Sequence, residues 1–166
     1  MIVHPIPPVW DENSKILILG SFPSVKSREQ AFFYGHPQNR FWRVTSAVTN
    51  SPTPVTVEEK KAFLLLNGIA VWDVIASCDI TGSSDSSIKN VTPNDLIPIL
   101  SGAKIKAVFT NGKTAHNLYQ KYVKDCAGRE DICLPSTSPA NAAWTFDRLI
   151  SAWSQISKFI QTTQFC

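Results

Sequence analysis

The segment Tyr34-Gly35-His36-Pro37-Gln38-Asn39-Arg40-Phe41-Trp42, followed by Arg43, gathers a phenol, an imidazole, two side-chain amides and two guanidinium groups within a few residues. Such groups together can hydrogen-bond a polar ring, orient a water molecule or meet an anion. A loop that only connects two elements rarely needs all of them. Just upstream, Ile16-Leu17-Ile18-Leu19 runs directly into Gly20-Ser21-Phe22-Pro23-Ser24. A buried strand that ends in a small-residue turn is where open α/β sheets place their ligands. The chemistry is therefore expected at the end of a strand, in reach of residues 20–43.

The elements that must position these residues alternate between strand and helix. Apolar runs at Ile16–Leu19, Ile69–Ile75, Ile105–Phe109 and Ile132–Leu134 read as buried strands. Thr56 with Glu59 forms a capping box ahead of Ala62-Phe63-Leu64-Leu65-Leu66, and Asn67-Gly68 closes that helix. Thr92-Pro93 is expected to open another helix, which Pro98 should kink or shorten. Ala115, Leu118, Tyr119, Tyr122 and Val123 share one helical face, as do Phe146, Leu149, Ile150, Trp153 and Ile160. The stretches 50–56 and 77–87 read as loops. Strands separated by helices pair in parallel, so the expected fold is α/β: a three-layer α/β/α domain with a central four-stranded parallel sheet, spanning residues 1–166 as a single domain. In such a sheet Gly20–Ser24, the loop after Ile75, Asn111-Gly112 and Pro135-Ser136-Thr137-Ser138-Pro139 collect along one edge. Their hydroxyls and free backbone N–H groups suit phosphates or a polar ring edge.

Composition bounds the function. With 166 residues, 43% hydrophobic and 17% charged, the chain can bury a sizeable core and is not of disordered type. It has no apolar run near the ~20 residues of a membrane span, and its N-terminus lacks the pattern of a secretory signal, so the expected setting is intracellular: cytoplasmic in a prokaryote, nuclear in a eukaryote. Cys78, Cys126, Cys133 and Cys166 form no C-x-x-C pair, which argues against a metal cluster, and no cofactor is expected. The net charge of +3 says little, but its distribution says more. From Gly20 to Thr56 a single acid, Glu29, faces Lys26, Arg28, Arg40 and Arg43, which favours an anionic partner. Asn111-Gly112-Lys113-Thr114 looks like the end of a phosphate-binding P-loop, but that motif needs a glycine where Ala107 stands. Nucleoside triphosphate hydrolysis is excluded on that ground.

Three segments in order, Gly20-Ser21-Phe22-Pro23-Ser24, Tyr34 to Trp42, and Leu134-Pro135-Ser136-Thr137-Ser138-Pro139-Ala140-Asn141, resemble the uracil-DNA glycosylase superfamily, and within it the hypoxanthine-DNA glycosylase branch. Trp72-Asp73-Val74 and Asp85-Ser86-Ser87-Ile88-Lys89-Asn90 are similar to further segments of that branch. The resemblance implies the same α/β/α fold. It also implies a monofunctional DNA glycosylase that removes deaminated bases, hypoxanthine foremost with uracil or xanthine possible, and leaves an abasic site. The implied partner is DNA bearing such bases. The protein would act as a monomer, with no membrane and no metal. No lysine is placed by motif as a Schiff-base nucleophile.

Asn39 is the candidate catalytic residue. Its spacing ahead of Phe41, Val44 and Val48 also fits a helix N-cap, and a residue at a helix start can do both. Phe22, Tyr34 and His36 are candidates to contact the base, Phe22 by stacking, worth ~1–3 kcal/mol per base. Phe33 has two competing readings, a wall of the pocket and packing beneath the loop, whereas Trp42 is assigned to the core. Ser24, Ser136 and Ser138 are candidate DNA-phosphate contacts, with plain turn formation as the competing role. Ala140 and Asn141 are expected in the loop that probes the space left by an extruded base. Two positions depart from the superfamily pattern. Phe22 stands where many members carry Asp or Asn, and Leu134 where many carry His. The competing readings are a uracil-preferring enzyme of the same fold, a catalytically silent module that binds damaged DNA, and a small-molecule nucleoside hydrolase.

Overall fold

The computed structural model describes residues 1–160. Its centre is a parallel sheet of β2 (Ile16–Gly20), β3 (Ile69–Asp73), β6 (Ala107–Asn111) and β7 (Ile132–Leu134), in the order β3-β2-β6-β7. The expected four-stranded parallel sheet is thus present. All five residues of β2 are buried, because helices cover both faces and each face takes alternate residues. Ile16 and Ile18 join Phe41, Val44, Phe63, Leu64, Leu149 and Trp153 from α2 (Phe41–Val48), α3 (Val57–Leu66) and α7 (Phe146–Trp153). Leu17 and Leu19 point the other way, to Leu96 and Ile99, at the start of and within α4 (Ile97–Gly102), and to Tyr119 on α5 (Lys113–Tyr122).

The capping box forms as read: Thr56 Oγ1 accepts from Glu59 N–H at 3.1 Å, and α3 ends at Asn67, with Gly68 in the left-handed region at φ 70°. Several expectations need correction. The apolar run Ile69–Ile75 is two strands, not one. β3 stops at Asp73, and β4 (Ile75–Asp79) turns into a second sheet, pairing antiparallel with β1 (Ile2–Val3) and β5 (Lys89–Pro93). Asn94 clamps the break, donating its side-chain amide to Asp73 O and Ile75 O. Residues 77–87 and 92–93 accordingly contain strand rather than only loop or a helix start. Pro93 ends an edge strand, where its missing N–H is tolerated. The helix opens instead at Leu96, and Pro98 falls in its first turn, where it neither kinks nor costs a hydrogen bond. The third parallel strand begins at Ala107 rather than Ile105, although Lys106 N–H already donates to Lys15 O at 2.7 Å. Finally, Phe146 is exposed, and α7 buries Leu149 and Trp153 alone.

The sequence reading missed α1 (Val25–Gln30), the short α6 (Lys124–Ala127) and a 3-10 turn at Asp85–Ser87. Beyond α7 the chain continues through a 3-10 turn into α8 (Ser157–Ile160). Cys78 is buried and Cys126 and Cys133 are exposed, all as free thiols; Cys166 lies outside the described residues. Among the described residues no helix is long and apolar enough to cross a membrane.

The register decides where the site lies. Gly20 pairs with Asp73, Leu19 with Thr110, and Asn111 with Leu134, so all four strands end together at one edge. The chain leaves β2 for β3 on one side and later returns to place β6 on the other. The crevice at such a reversal is the expected ligand site.

Candidate active site

A cleft of about 550 Å³ opens at that edge. It is lined by Gly20 to Ser24 after β2, by Tyr34, His36 and Asn39, by Asp73 and Asn111 at two strand ends, by Ser83 to Ser86, and by Ser136 to Ala140. Phe22, Ser24, Tyr34, His36, Asn39, Ser136 and Ser138 all line it, as does Ala140, whereas Asn141 does not.

Asn39 lies two residues ahead of α2. Its Oδ1 accepts from Phe41 N–H and from the Thr137 hydroxyl, each at 2.9 Å. A backbone N–H can only donate, so the oxygen end of this amide is fixed and the NH₂ end is left as the free donor. Thr137 is fully buried and links two amides. Its hydroxyl also accepts from Asn111 Nδ2 at 3.0 Å, while its N–H donates to Asn111 Oδ1 at 3.1 Å. Asn39 thus accepts the first N–H of α2 from one residue ahead of the N-cap, which is Arg40 and not Asn39, and holds an amide at the cleft.

Tyr34 adopts the left-handed backbone region at φ 52°, and its ring stacks on Phe41 with centroids 4.0 Å apart. Strained backbone of this kind concentrates at functional sites. Burial, reinforced by the charge of Asp73, pushes the phenol far above its ordinary range, so it stays protonated. His36 Nδ1 accepts from Gln38 N–H at 3.1 Å, which leaves the proton on Nε2. Phe22 borders the cleft but is 91% buried, packed with Ile75 and Cys78 beneath the Arg28 guanidinium. Phe33 is buried in the core, as is Trp42. The three serines differ. Ser24 caps α1, accepting from Ser27 N–H and donating to the Ser27 hydroxyl. Ser136 and Ser138 accept from Ser138 N–H and Ala140 N–H, and their own hydroxyl protons are left to donate outward.

Residues 7–157 match the family described as the uracil DNA glycosylase superfamily. This chain belongs to that superfamily. Among its relatives are a hypoxanthine DNA glycosylase of Methanosarcina acetivorans, 35% identical over 94% of this chain and 98% of its own, and one of Methanosarcina barkeri, 33% identical over 92% and 96%. A solution NMR structure described as a candidate uracil DNA glycosylase from M. acetivorans superposes with a TM-score of 0.80, at 34% identity over 94% of this chain and 96% of that one.

Within the superfamily's fold the two departures acquire a structural meaning. Leu134 is fully buried in the core beside Trp153 and Phe109, so this position does not face the cleft at all. Further polar groups reach the cleft from residues that sequence reasoning left without a role. Asp73 is 3% exposed at the cleft floor, and its Oδ2 accepts from His4 Nε2 at 2.7 Å. His4 comes from the N-terminal segment and carried no signal in the sequence; Asp73 did, as part of Trp72-Asp73-Val74. At the rim, Asp85 accepts from the Ser21 hydroxyl at 3.3 Å, and desolvation raises its carboxyl above the usual range. The basic residues also sort differently from their charges. Arg28 donates to Gly82 O, and Arg40 donates to the carbonyls of Ser138, Asn141 and Trp144. Arg40 therefore braces the loop over residues 138–144, while Arg43 is exposed.

Proposed function

We propose that this protein is a monofunctional DNA glycosylase that hydrolyses the N-glycosidic bond of deaminated nucleotides, hypoxanthine foremost, and leaves an abasic site. The observation that carries the reading is the Asn39 amide, held at its oxygen by Phe41 and Thr137 with its NH₂ free at the cleft. The hypoxanthine-specific names of two relatives that match nearly the whole chain support the choice of base.

Cleavage of this bond builds positive charge on the sugar and negative charge on the departing base. A base inside a duplex is out of reach, so the nucleotide must first be extruded into the cleft. There, a fixed donor such as the Asn39 NH₂ stabilises the developing anion of the base, and needs no reorganisation to do so. Asn39 in this role is a donor toward the base rather than an acceptor for the attacking water. Tyr34, His36 and Phe22 border the base, and the outward hydroxyls of Ser136 and Ser138 meet the backbone phosphates. Ser24, whose hydroxyl is engaged in its cap, contributes through the turn it fixes. The Arg40-braced loop, with Ala140 and Asn141, fills the space the base vacates. The protein acts as a monomer inside the cell, on DNA alone.

The test is single-turnover cleavage of labelled DNA carrying one deoxyinosine, deoxyuridine or deoxyxanthosine, with alkali to reveal abasic sites. Loss of one preorganised donor is expected to slow Asn39→Ala by ~10²–10³-fold, with DNA affinity retained. Absence of cleavage on every substrate, with salt-dependent DNA binding intact, would overturn the enzyme reading in favour of a silent binding module. Activity on free inosine that is indifferent to salt would favour a nucleoside hydrolase.

A further inference from the structure

The floor of the cleft holds an acceptor and a donor side by side. Gly20 ends β2 between them: a Cβ added there would collide with Asp73 Oδ1 and come within 3.2 Å of the Tyr34 hydroxyl. The hydroxyl is buried and has no hydrogen-bond partner among the described residues. Asn111 lies close to it, but the two make no hydrogen bond, and the Asn111 amide is held by Thr137. A buried hydroxyl without a partner is costly, and in a native fold it calls for a ligand or another explanation. Asp73 is asymmetric in the same way. Oδ2 accepts from His4 Nε2, whereas Oδ1 has no partner among the described residues. His4 is fixed in turn: its Nδ1 accepts from Ile6 N–H at 3.1 Å, which puts its proton on Nε2 and aims it at Asp73.

We propose that Asp73 Oδ1 and the Tyr34 hydroxyl together read the lactam edge of the extruded base, the carboxylate accepting its ring N–H and the phenol donating to its carbonyl, with His4 as the residue that positions Asp73. This rests on the glycosylase reading and deepens it. Deamination replaces an amino group and a bare ring nitrogen with a carbonyl and a ring N–H. The pair therefore recognises a lactam that hypoxanthine and uracil acquire by deamination and that xanthine carries as well. Adenine and cytosine present the opposite order, a lone pair toward the carboxylate and an amino hydrogen toward the phenol; the hydroxyl can turn to accept that hydrogen, but the carboxylate can only accept, so the discrimination falls on Asp73. Sites built this way reject the mismatched partner far more strongly than apolar pockets do. Guanine carries the same lactam but adds an amino donor beside it. A carboxylate with both oxygens free would accept that donor; here His4 already holds the second oxygen.

The proposal predicts coupling between Asp73 and one hydrogen of the base, which a merely structural role would not produce. Cleavage of deoxyinosine is compared with cleavage of 1-methyl-deoxyinosine, in which that hydrogen is replaced. In the wild type, methylation is expected to slow the reaction by ~10²-fold, the scale of a lost hydrogen bond to a charged group. Asp73→Ala should slow deoxyinosine by a similar factor and reduce the methylation penalty to a few-fold. Asp73→Asn, which keeps the packing if the alanine variant does not fold, should present its amide N–H₂ and shift preference toward unsubstituted purine, whose N1 is an acceptor. Tyr34→Phe should lose ~10-fold on deoxyinosine. His4→Ala should lose activity that His4→Gln, which retains a donor toward Asp73, restores. A methylation penalty of equal size in the wild type and in both Asp73 variants would overturn this inference alone. A wild type that leaves deoxyinosine intact overturns the glycosylase reading, and this inference with it.

Discussion

Asn39 and Thr137 show how one residue constrains another's chemistry. The amide is useful only if its NH₂ end faces the cleft, and the two donors on Oδ1 enforce that orientation. Thr137→Val keeps the shape of the side chain and removes the hydroxyl. One of the two restraints on Asn39 is lost, and Asn111 Nδ2 loses its acceptor. The expected result is a drop in kcat of about 5- to 10-fold with KM little changed, from a restraint worth ~1 kcal/mol, together with a stability loss of ~1–3 kcal/mol from the orphaned amide. Single-turnover kinetics and a urea titration would separate the two effects. A change in KM alone would assign Thr137 to substrate binding instead.

At the scale of elements, the loop over residues 138–144 is shaped by a side chain from far upstream in the chain. Arg40 starts α2 and donates to three carbonyls of that loop. A contact to phosphate needs only charge, whereas a clamp on several carbonyls needs the planar fork of a guanidinium. Arg40→Lys is therefore expected to lose extrusion-dependent cleavage by ~10-fold or more, with nonspecific DNA affinity preserved and faster amide exchange confined to residues 138–144. Full rescue by lysine would instead mark Arg40 as a phosphate contact. The same scale explains what was legible in the sequence. The runs Ile16–Leu19 and Ile132–Leu134 are continuous and flanked by turn residues, so the parallel sheet and its loaded edge could be read directly. The second sheet could not. Ile69–Ile75 is interrupted only by Asp73, which on its own marks no turn, and the break there is fixed by Asn94, far along the chain. The candidate site divides similarly. Asn39, Tyr34 and His36 are neighbours in sequence, whereas the His4–Asp73 and Asn39–Thr137 bonds join residues 69 and 98 apart. Pairings at that range arise from the fold and leave no local pattern.

For the whole molecule, the second sheet and the link into β7 tie the periphery to the site. His4 reaches Asp73 because β1 pairs with β4, and His4 N–H donates to Ala76 O at 2.7 Å. On the other flank Asp131 joins β6, α5 and β7. Its carboxylate accepts from Thr110 at 2.6 Å, His116 at 2.7 Å and Gln120 at 2.7 Å. Burial acts to raise its carboxyl, but these hydrogen bonds and the charge of His116 outweigh that and hold it below the usual carboxylate range. A carboxyl whose folded-state value is depressed stabilises the fold above its unfolded value and loses that contribution as pH falls through the folded one. Asp131 should accordingly support the fold fully at neutral pH and progressively less below about pH 4, where an unfolded aspartate takes up its proton. Asp131→Asn removes the charge at every pH. The gap in Tm between wild type and this variant is expected to be widest near neutrality and to narrow through pH 4 toward pH 3. Thermal melts at pH 7, 5 and 3 would check it. A gap that stayed constant over that range would mean that the hydrogen bonds survive in the amide and that the charge contributes nothing, leaving acid sensitivity to arise elsewhere in the molecule.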